Sequence, residues 1–202
     1  MNKELQYSTA IKNKPFLYIE LKKMAELKLN NLEMSDKELK NKAMEDNIFQ
    51  YNSKSRRQAI TSTVSKRIKV LDRFLLEKLL NGSIDTSKQI TIYSILKTDR
   101  LFYEFMDEVY KDKYQLRDPY LTDKDFNIFF QHKAEQSERV AKWVDYTYYK
   151  LKQVFIRILF EAGFIKDQKE REIQKAIISK ELADHLKDKG DAKYLQAMLG
   201  GM

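Results

Sequence analysis

Apolar residues between Lys54 and Lys78, and just past them, recur at Ile60, Val64, Ile68, Leu71, Leu75 and Leu79. The spacings are those of a single helical stripe facing a core, so the pattern predicts one long amphipathic helix over this segment. Ser55, Gln58, Ser62, Lys66, Lys69 and Arg73 repeat at the same intervals on the opposite side. One face is built to bury. The other carries hydroxyls, an amide and cations, groups that suit a phosphate backbone and base edges.

The same reading predicts helices along the rest of the chain. Pro15 stands where a helix can start, and Phe16 to Leu32 carries Phe16, Ile19, Met24, Leu27 and Leu29 as apolar positions. Ser35 and Glu38 have the spacing of a capping box and open a helix to about Asn47. Asn52-Ser53 breaks the pattern before the basic helix, which ends at Asn81-Gly82-Ser83. A short helix, a polar turn and a longer helix with a polar outer face fit a helix-turn-helix unit. Ser87 to Tyr114 then reads as one long central helix, acidic on its outer side.

After the turn at Asp118-Pro119 the first pattern returns. Thr122 and Asp125 cap a helix bearing Phe126, Phe129 and Phe130. Trp143 is placed to close the small core beneath it. A second long helix follows, with Leu151, Val154, Phe155, Ile158 and Ala162 on one side and Lys142, Tyr146, Tyr149, Gln153 and Arg157 on the other; Gly163 ends it. At a ninety-residue offset Val64 meets Val154, Arg67 meets Arg157 and Ile68 meets Ile158, which marks two analogous units. Ile173 to Ile178 is a β-branched run, read either as a wing strand or as more helix. Ser179 caps a last helix through Leu186, and Leu195 to Leu199 forms a short one before a Gly-Gly end expected to fray. The expected fold is all-α, with a minor β-wing near 173–178 left open. It comprises an N-terminal unit over 1–82 with the basic helix-turn-helix-like pair, a central helix over 83–118, and a helix-turn-helix or winged-helix-like unit over 119–202.

Composition sharpens this picture. Hydrophobic residues make up 43% and aromatics 12%, enough for a packed core, and five glycines with two prolines suit long helices better than a turn-rich sheet fold. There is no cysteine, which excludes disulfides and thiolate metal sites. No apolar run approaches the ~20 residues that span a bilayer, and the opening MNKELQYSTAIKNK has no apolar signal region, so a cytoplasmic soluble protein is expected. The net charge is +8, and its placement matters more than its size. Lys54, Arg56, Arg57, Lys66, Arg67, Lys69, Arg73 and Lys78 face only Asp72 and Glu77 within 52–78. Arg139, Lys142, Lys150, Lys152 and Arg157 face only Asp145 within 139–157. Two basic islands therefore flank an acidic middle, which favours a polyanionic partner.

Catalytic signatures are missing. The two histidines, His132 and His185, are far apart, and no HExxH or other metal-ligand spacing occurs. Phosphate-cradling glycine loops and a GxSxG elbow are also absent. The carboxylates are spread along helices beside lysines, as surface ion pairs are. The expectation is a protein that is not an enzyme and uses no metal or other cofactor. Within the cluster Tyr146, Tyr148, Tyr149, the middle residue is expected inward and the other two outward, where a phenol can bond phosphate or stack on a base.

ILKTDRLFYEFMDEVYKDKY, followed by LTDKDFNIFFQHKAEQSERVAKWVDYTYYKLKQVFIRILFEAGFI, resembles the BrxA family, the small α-helical component of BREX bacteriophage-exclusion systems. The opening YSTAIKNKPFLYIELKKMAELKL and the closing KYLQAML fit it too, so the likeness spans nearly the whole chain. Its distinctive parts are Leu-Lys-Thr-x-Arg at 96–100 and Glu-Ala-Gly-Phe-Ile at 161–165. The resemblance implies a non-enzymatic helical DNA-binding protein with helix-turn-helix-like units and a likeness to the antitermination protein NusB. It also implies work alongside other BREX components, which include a methyltransferase, an ATPase and a phosphatase-like protein. It transfers no functional residue.

The candidate contacts come from helix geometry alone. Lys54, Arg56, Arg57, Lys66, Lys69 and Arg73 form the first set, and Lys142, Tyr146, Tyr149, Lys150, Gln153 and Arg157 the second. Arg67 sits beside the apolar stripe and is weighted lower. Double-stranded DNA, held mainly through phosphates with little sequence preference, is the expected partner. Two alternatives stay open: an assembly adaptor whose basic helices dock on an acidic partner of the same system, and an RNA-binding NusB-like protein. Self-association is also open.

Overall fold

The computed structural model describes residues 5–116 and 118–199, so the expected fraying of Gly200-Gly201 lies outside the described residues. Among the described residues the regular structure is helical, with no strand, as the all-α reading expected. The chain forms two compact units, one of residues 16–98 and one that joins residues 1–15 to 99–202. These boundaries cut the chain differently from the division at 82 and 118 read from the sequence.

The first unit contains α1 (Tyr18–Leu29), α2 (Asp36–Glu45), α3 (Lys54–Lys69), α4 (Arg73–Asn81) and α5 (Ile84–Leu96). Side-chain caps start most of them. Ser35 and Glu38 form the capping box of α2, while Ser53, Asp72 and Ser83 accept the N–H of Arg56, Leu75 and Thr86 at the starts of α3, α4 and α5. α5 is buried on nearly all sides from Ser87 to Leu96. Its buried hydroxyls are satisfied by carbonyls: Ser87 donates to Leu79 at 2.8 Å, Thr91 to Ser87 at 2.9 Å and Ser94 to Thr91 at 2.6 Å.

The single basic helix expected over Lys54–Lys78 is two helices. The chain turns at Val70, Leu71 and Asp72, where the Asp72 carboxylate accepts the Leu75 N–H at 3.0 Å and restarts the helix as α4. Leu71 is buried inside the turn, so the apolar pattern runs on through the break. The expected helix over 16–32 is also shorter. It starts at Tyr18 and ends at Leu29, and Leu17 before it takes a left-handed backbone with φ of 53°. That conformation is strained for a branched side chain. It is held on one side by Phe16, whose ring is buried and whose carbonyl accepts a 2.7 Å hydrogen bond from Nη1 of Arg67. Arg67, 3% exposed, is a structural cation.

The second unit opens with a 3₁₀ turn at Ala10–Asn13. It continues through α6 (Arg100–Phe105), a π-helical turn at Met106–Tyr110 and α7 (Lys111–Gln115), which run on without interruption. Then come α8 (Asp123–Gln136), α9 (Glu138–Ala141), α10 (Asp145–Ala162), α11 (Lys180–Asp188) and α12 (Ala192–Leu199). The central helix expected over Ser87–Tyr114 is therefore broken after Leu96. Asp99 caps α6 by accepting the Phe102 N–H at 2.9 Å, and the two halves belong to different units. Phe102, Phe105, Phe126, Phe129, Phe130 and Phe155 pack ring against ring in the core, with centroids 4.8–6.0 Å apart. Thr122 and Asp125 form the capping box of α8, and Gly163, at φ of 82°, ends α10 in the left-handed conformation that glycine adopts freely.

The run 173–178 is neither a wing strand nor a helix. It makes one isolated bridge, Ile165 to Ile173, beside a second between Tyr120 and Glu172, and then stays irregular to Ser179. Asp167 folds the intervening loop by accepting the N–H groups of Lys169 and Glu170, and Ile177 is left exposed, so there is no continued pairing to extend a strand.

A polar cluster ties residues 5–15 into this unit. Tyr7 donates to Oε2 of Glu104 at 2.7 Å, Arg100 reaches Oε1 at 2.6 Å, and Nζ of Lys133 lies 2.8 Å from Oε2 and 2.6 Å from Oε1 of Glu108. Lys133 is 2% exposed and Tyr7 7%. Burial pushes the Glu104 carboxyl up, but the hydrogen bonds from Lys133, Arg100 and Tyr7 outweigh it and hold it below its ordinary 4.5. Burial, reinforced by the bond to Glu104, pushes the Tyr7 phenol up to about 12.

Two outcomes follow for stability. Arg67→Ala strips the Phe16 carbonyl of a buried charged donor and should cost about 2–4 kcal/mol, whereas Lys66→Ala, one residue away on the exposed face, should stay within about 0.5 kcal/mol; chemical denaturation compares them directly. Because the Glu104 pKa is depressed on folding, its contribution is fully present above the unfolded value near 4.5 and lost as pH falls through the lower folded value. The stability gap between the parent protein and Glu104→Gln should therefore be widest at neutral pH and shrink on acidification. A gap that is constant from pH 7 to pH 3 contradicts this.

Candidate nucleic-acid interface

The exposed side of α3 is the polar stripe read from the sequence. Ser55, Gln58, Lys66 and Lys69 are exposed and Ser62 is half-buried, on the face opposite buried Ile60, Val64 and Ile68. Lys54 and Arg56 are exposed in its first turn, where no acid offsets them. Cations at a helix N-terminus oppose the macrodipole, each costing roughly 0.3–1 kcal/mol. They are not there for the sake of the helix; the same turn offers free N–H groups and positive charge to an anion.

The six residues of the first set divide. Lys54, Arg56, Lys66 and Lys69 lie on α3 and face solvent; Arg56 rests over the Tyr51 ring at 4.8 Å and Lys69 is 3.2 Å from Asp36. Arg57 is half-buried and turns back to donate to the Met44 carbonyl at 3.3 Å, so it is set away from the outer face. Arg73 is exposed but stands on α4, beyond the turn at 70–72, paired with Glu77 at 2.8 Å. The connection between α2 and α3 spans residues 46–53, longer than the 3–4 residues typical of a helix-turn-helix. The short turns in this unit are instead those between α3 and α4, over 70–72, and between α4 and α5, over 82–83.

In the other unit, Tyr146, Tyr149, Lys150, Gln153 and Arg157 share one face of α10. Tyr146 is 64% and Tyr149 50% exposed. Lys150 bridges them, its ammonium 5.5 Å from one ring and 5.6 Å from the other, and donates to Oε1 of Gln153 at 3.1 Å. Gln153 in turn donates to the Tyr149 hydroxyl at 2.7 Å. Arg157 is paired through Nε with Glu161. Lys142 is exposed but lies in the link after α9 and not on α10, because α10 begins only at Asp145. Tyr148 points inward as expected: its hydroxyl donates to the Val140 carbonyl at 2.6 Å and its ring packs with Phe130 and Trp143.

The α10 face is also the wall of a hollow that the sequence did not disclose. Lys12, Asn13, Lys150, Gln153, Val154, Ile156, Arg157 and Gln168 line a space of about 510 Å³. Lys12 and Asn13 come from the 3₁₀ turn and Gln168 from the loop after α10, so no local pattern could have joined them. Elsewhere, His132 is exposed on α8, and no group of three or more His, Cys, Asp or Glu is arranged to hold a metal among the described residues. No helix among them is long and apolar enough to cross a membrane.

Comparison with known proteins places this architecture. The BrxA family matches residues 5–190. A "BREX protein BrxA" from Bacillus cereus (strain H3081.97) is 48% identical over 201 residues, covering 99% of this chain and all of that protein. Another of that name, from Paramagnetospirillum magneticum (strain ATCC 700264 / AMB-1), is 24% identical over 153 residues, 76% of this chain and 77% of its own. The crystal structure of an uncharacterized protein from Magnetospirillum magneticum shares the fold, with a TM-score of 0.83 at 22% identity over 98% of this chain and 100% of that one.

Proposed function

Since this chain belongs to the BrxA family, we propose that it serves a BREX anti-phage system as a non-enzymatic component that binds duplex DNA, mainly through phosphates and with little sequence preference. The observation that carries this reading is the exposed α3 face, where Lys54, Arg56, Lys66 and Lys69 stand with Ser55 and Gln58. Lys54 and Arg56 stand at the helix start, where they oppose the macrodipole, while Lys66 and Lys69 stand in the last turn, where it favours them. The α10 face supports the reading from the other unit, with Lys150 and Arg157 among exposed tyrosines and an amide. Lys142 and Arg73 add charge at the margins of the two faces. Arg57 contributes to the field from behind the first. In this reading the other BREX components are partners in assembly, and the protein works in the cytoplasm where the invading DNA is met.

The test is a salt titration of duplex binding by fluorescence anisotropy. With six to ten phosphate contacts, affinity should fall roughly 10³–10⁵-fold between 50 and 200 mM salt. Combined reversal of Lys66, Lys69 and Arg73 to Glu should flatten that slope, and so should separate reversal of Lys150 and Arg157. Salt-insensitive binding, or binding unchanged by both reversals, sinks the proposal. A protein that leaves duplex DNA unshifted at near-physiological salt points instead to an assembly adaptor. One that prefers RNA in direct competition points to the RNA-binding reading.

A further inference from the structure

The hollow beside α10 is built for more than a phosphate. Three cations, Lys12, Lys150 and Arg157, stand around it with three amides, Asn13, Gln153 and Gln168, and no carboxylate is among its lining residues. A phosphate only accepts hydrogen bonds, so the amide carbonyls add nothing to its capture. Amides both donate and accept, which is what the edge of a nucleobase requires. Val154 and Ile156 add apolar lining for a sugar or the face of a ring. Its volume, about 510 Å³, exceeds what a lone phosphate needs.

The walls are held in place. Ile11 is buried beneath the 3₁₀ turn, Tyr7 is bound to Glu104, and Lys12 reaches Oγ1 of Thr147 on α10 at 3.4 Å. The loop carrying Gln168 is folded by Asp167 and by the ion pair between Lys166 and Glu172. Arg157 uses Nε on Glu161, and a guanidinium has further donors. A bare helix face can enter a groove of a duplex, but a concave pocket cannot read bases that remain stacked. Only a base already outside the stack can reach its amides.

We propose that this hollow seats one unpaired nucleotide of a bound DNA strand, its phosphate on Lys12, Lys150 and Arg157 and its base edge on Asn13, Gln153 and Gln168. This rests on the duplex-binding reading and extends it: the protein favours duplex with an unpaired tail over blunt duplex. The two exposed tyrosines on the same face, Tyr146 and Tyr149, offer stacking surfaces beside it.

The experiment compares one hairpin duplex with and without a four-nucleotide 3′ or 5′ tail, at fixed salt, with 2-aminopurine in the tail. The tail should tighten binding roughly tenfold, near the low end of what one seated base contributes, and the 2-aminopurine signal should change on binding. The double variant Asn13→Ala/Gln168→Ala alters no charge, so it should bind blunt duplex as the parent does and lose the tail preference. A tail without effect, or a tail preference that survives the double variant, overturns the hollow while leaving duplex binding intact. A parent protein that binds neither DNA overturns both. Tight binding of free dAMP in the absence of DNA would assign the hollow to a soluble nucleotide and overturn its assignment to a DNA strand.

Discussion

Glu104 is the hub on which the larger unit turns. One carboxylate gathers a tyrosine from residues 5–15, an arginine one turn before it on α6 and a nearly inaccessible lysine from α8. A buried ammonium is expensive unless it is paired and fully bonded, so Lys133 and Glu104 hold each other in place. Tyr7 then draws its segment against the unit, and Ile11 and Lys12 follow onto α10. Two residues past Glu104, from Met106 to Tyr110, the chain departs from α-helical geometry. The π-turn leaves Tyr110 donating toward the carbonyls of Phe164 and Gln174, at 3.0 and 3.1 Å, which fastens the segment after α10 to the same helix.

Cations in this chain do two different jobs, and position along a helix separates them. Lys66 and Arg67 are neighbours in sequence with opposite roles: one faces water, the other is buried and bonded to the Phe16 carbonyl. Lys133 is likewise internal. Counting charge within a segment treats all of these alike. Only the exposed share acts on solvent and solutes, and within residues 54–78 and 139–157 it lies on α3, at the start of α4, on and just after α9, and along α10.

Much of the local structure was legible, because capping chemistry is local. Ser35 with Glu38 and Thr122 with Asp125 announce their helices within four residues. The outward stripe of α3 and the inward turn of Tyr148 followed from periodicity alone. The breaks at 70–72 and 97–99 were hidden for a physical reason: neither contains glycine or proline, and their caps, Asp72 and Asp99, look like ordinary helix acids. At the first break Leu71 stays buried in the turn, so the apolar stripe crosses it unbroken. The β-branched run at 173–178 misled in the opposite way, since strand propensity without a partner to pair with makes only a bridge. The hollow draws on three separate segments, and only its α10 share, Lys150, Gln153 and Arg157, shows in the helical pattern.

Residues 5–15 belong to a body whose remaining residues begin at Asp99. On a ribosome adding roughly 5–20 residues per second, they emerge before residues 16–98 and wait on the order of ten seconds for their partners, while residues 16–98 already hold everything needed for a core of their own. The order of synthesis is thus the reverse of the order of completion. Tyr7 and Ile11 remain wet until Glu104 and α10 arrive, so residues 5–15 are locked only after the unit that follows them in the chain.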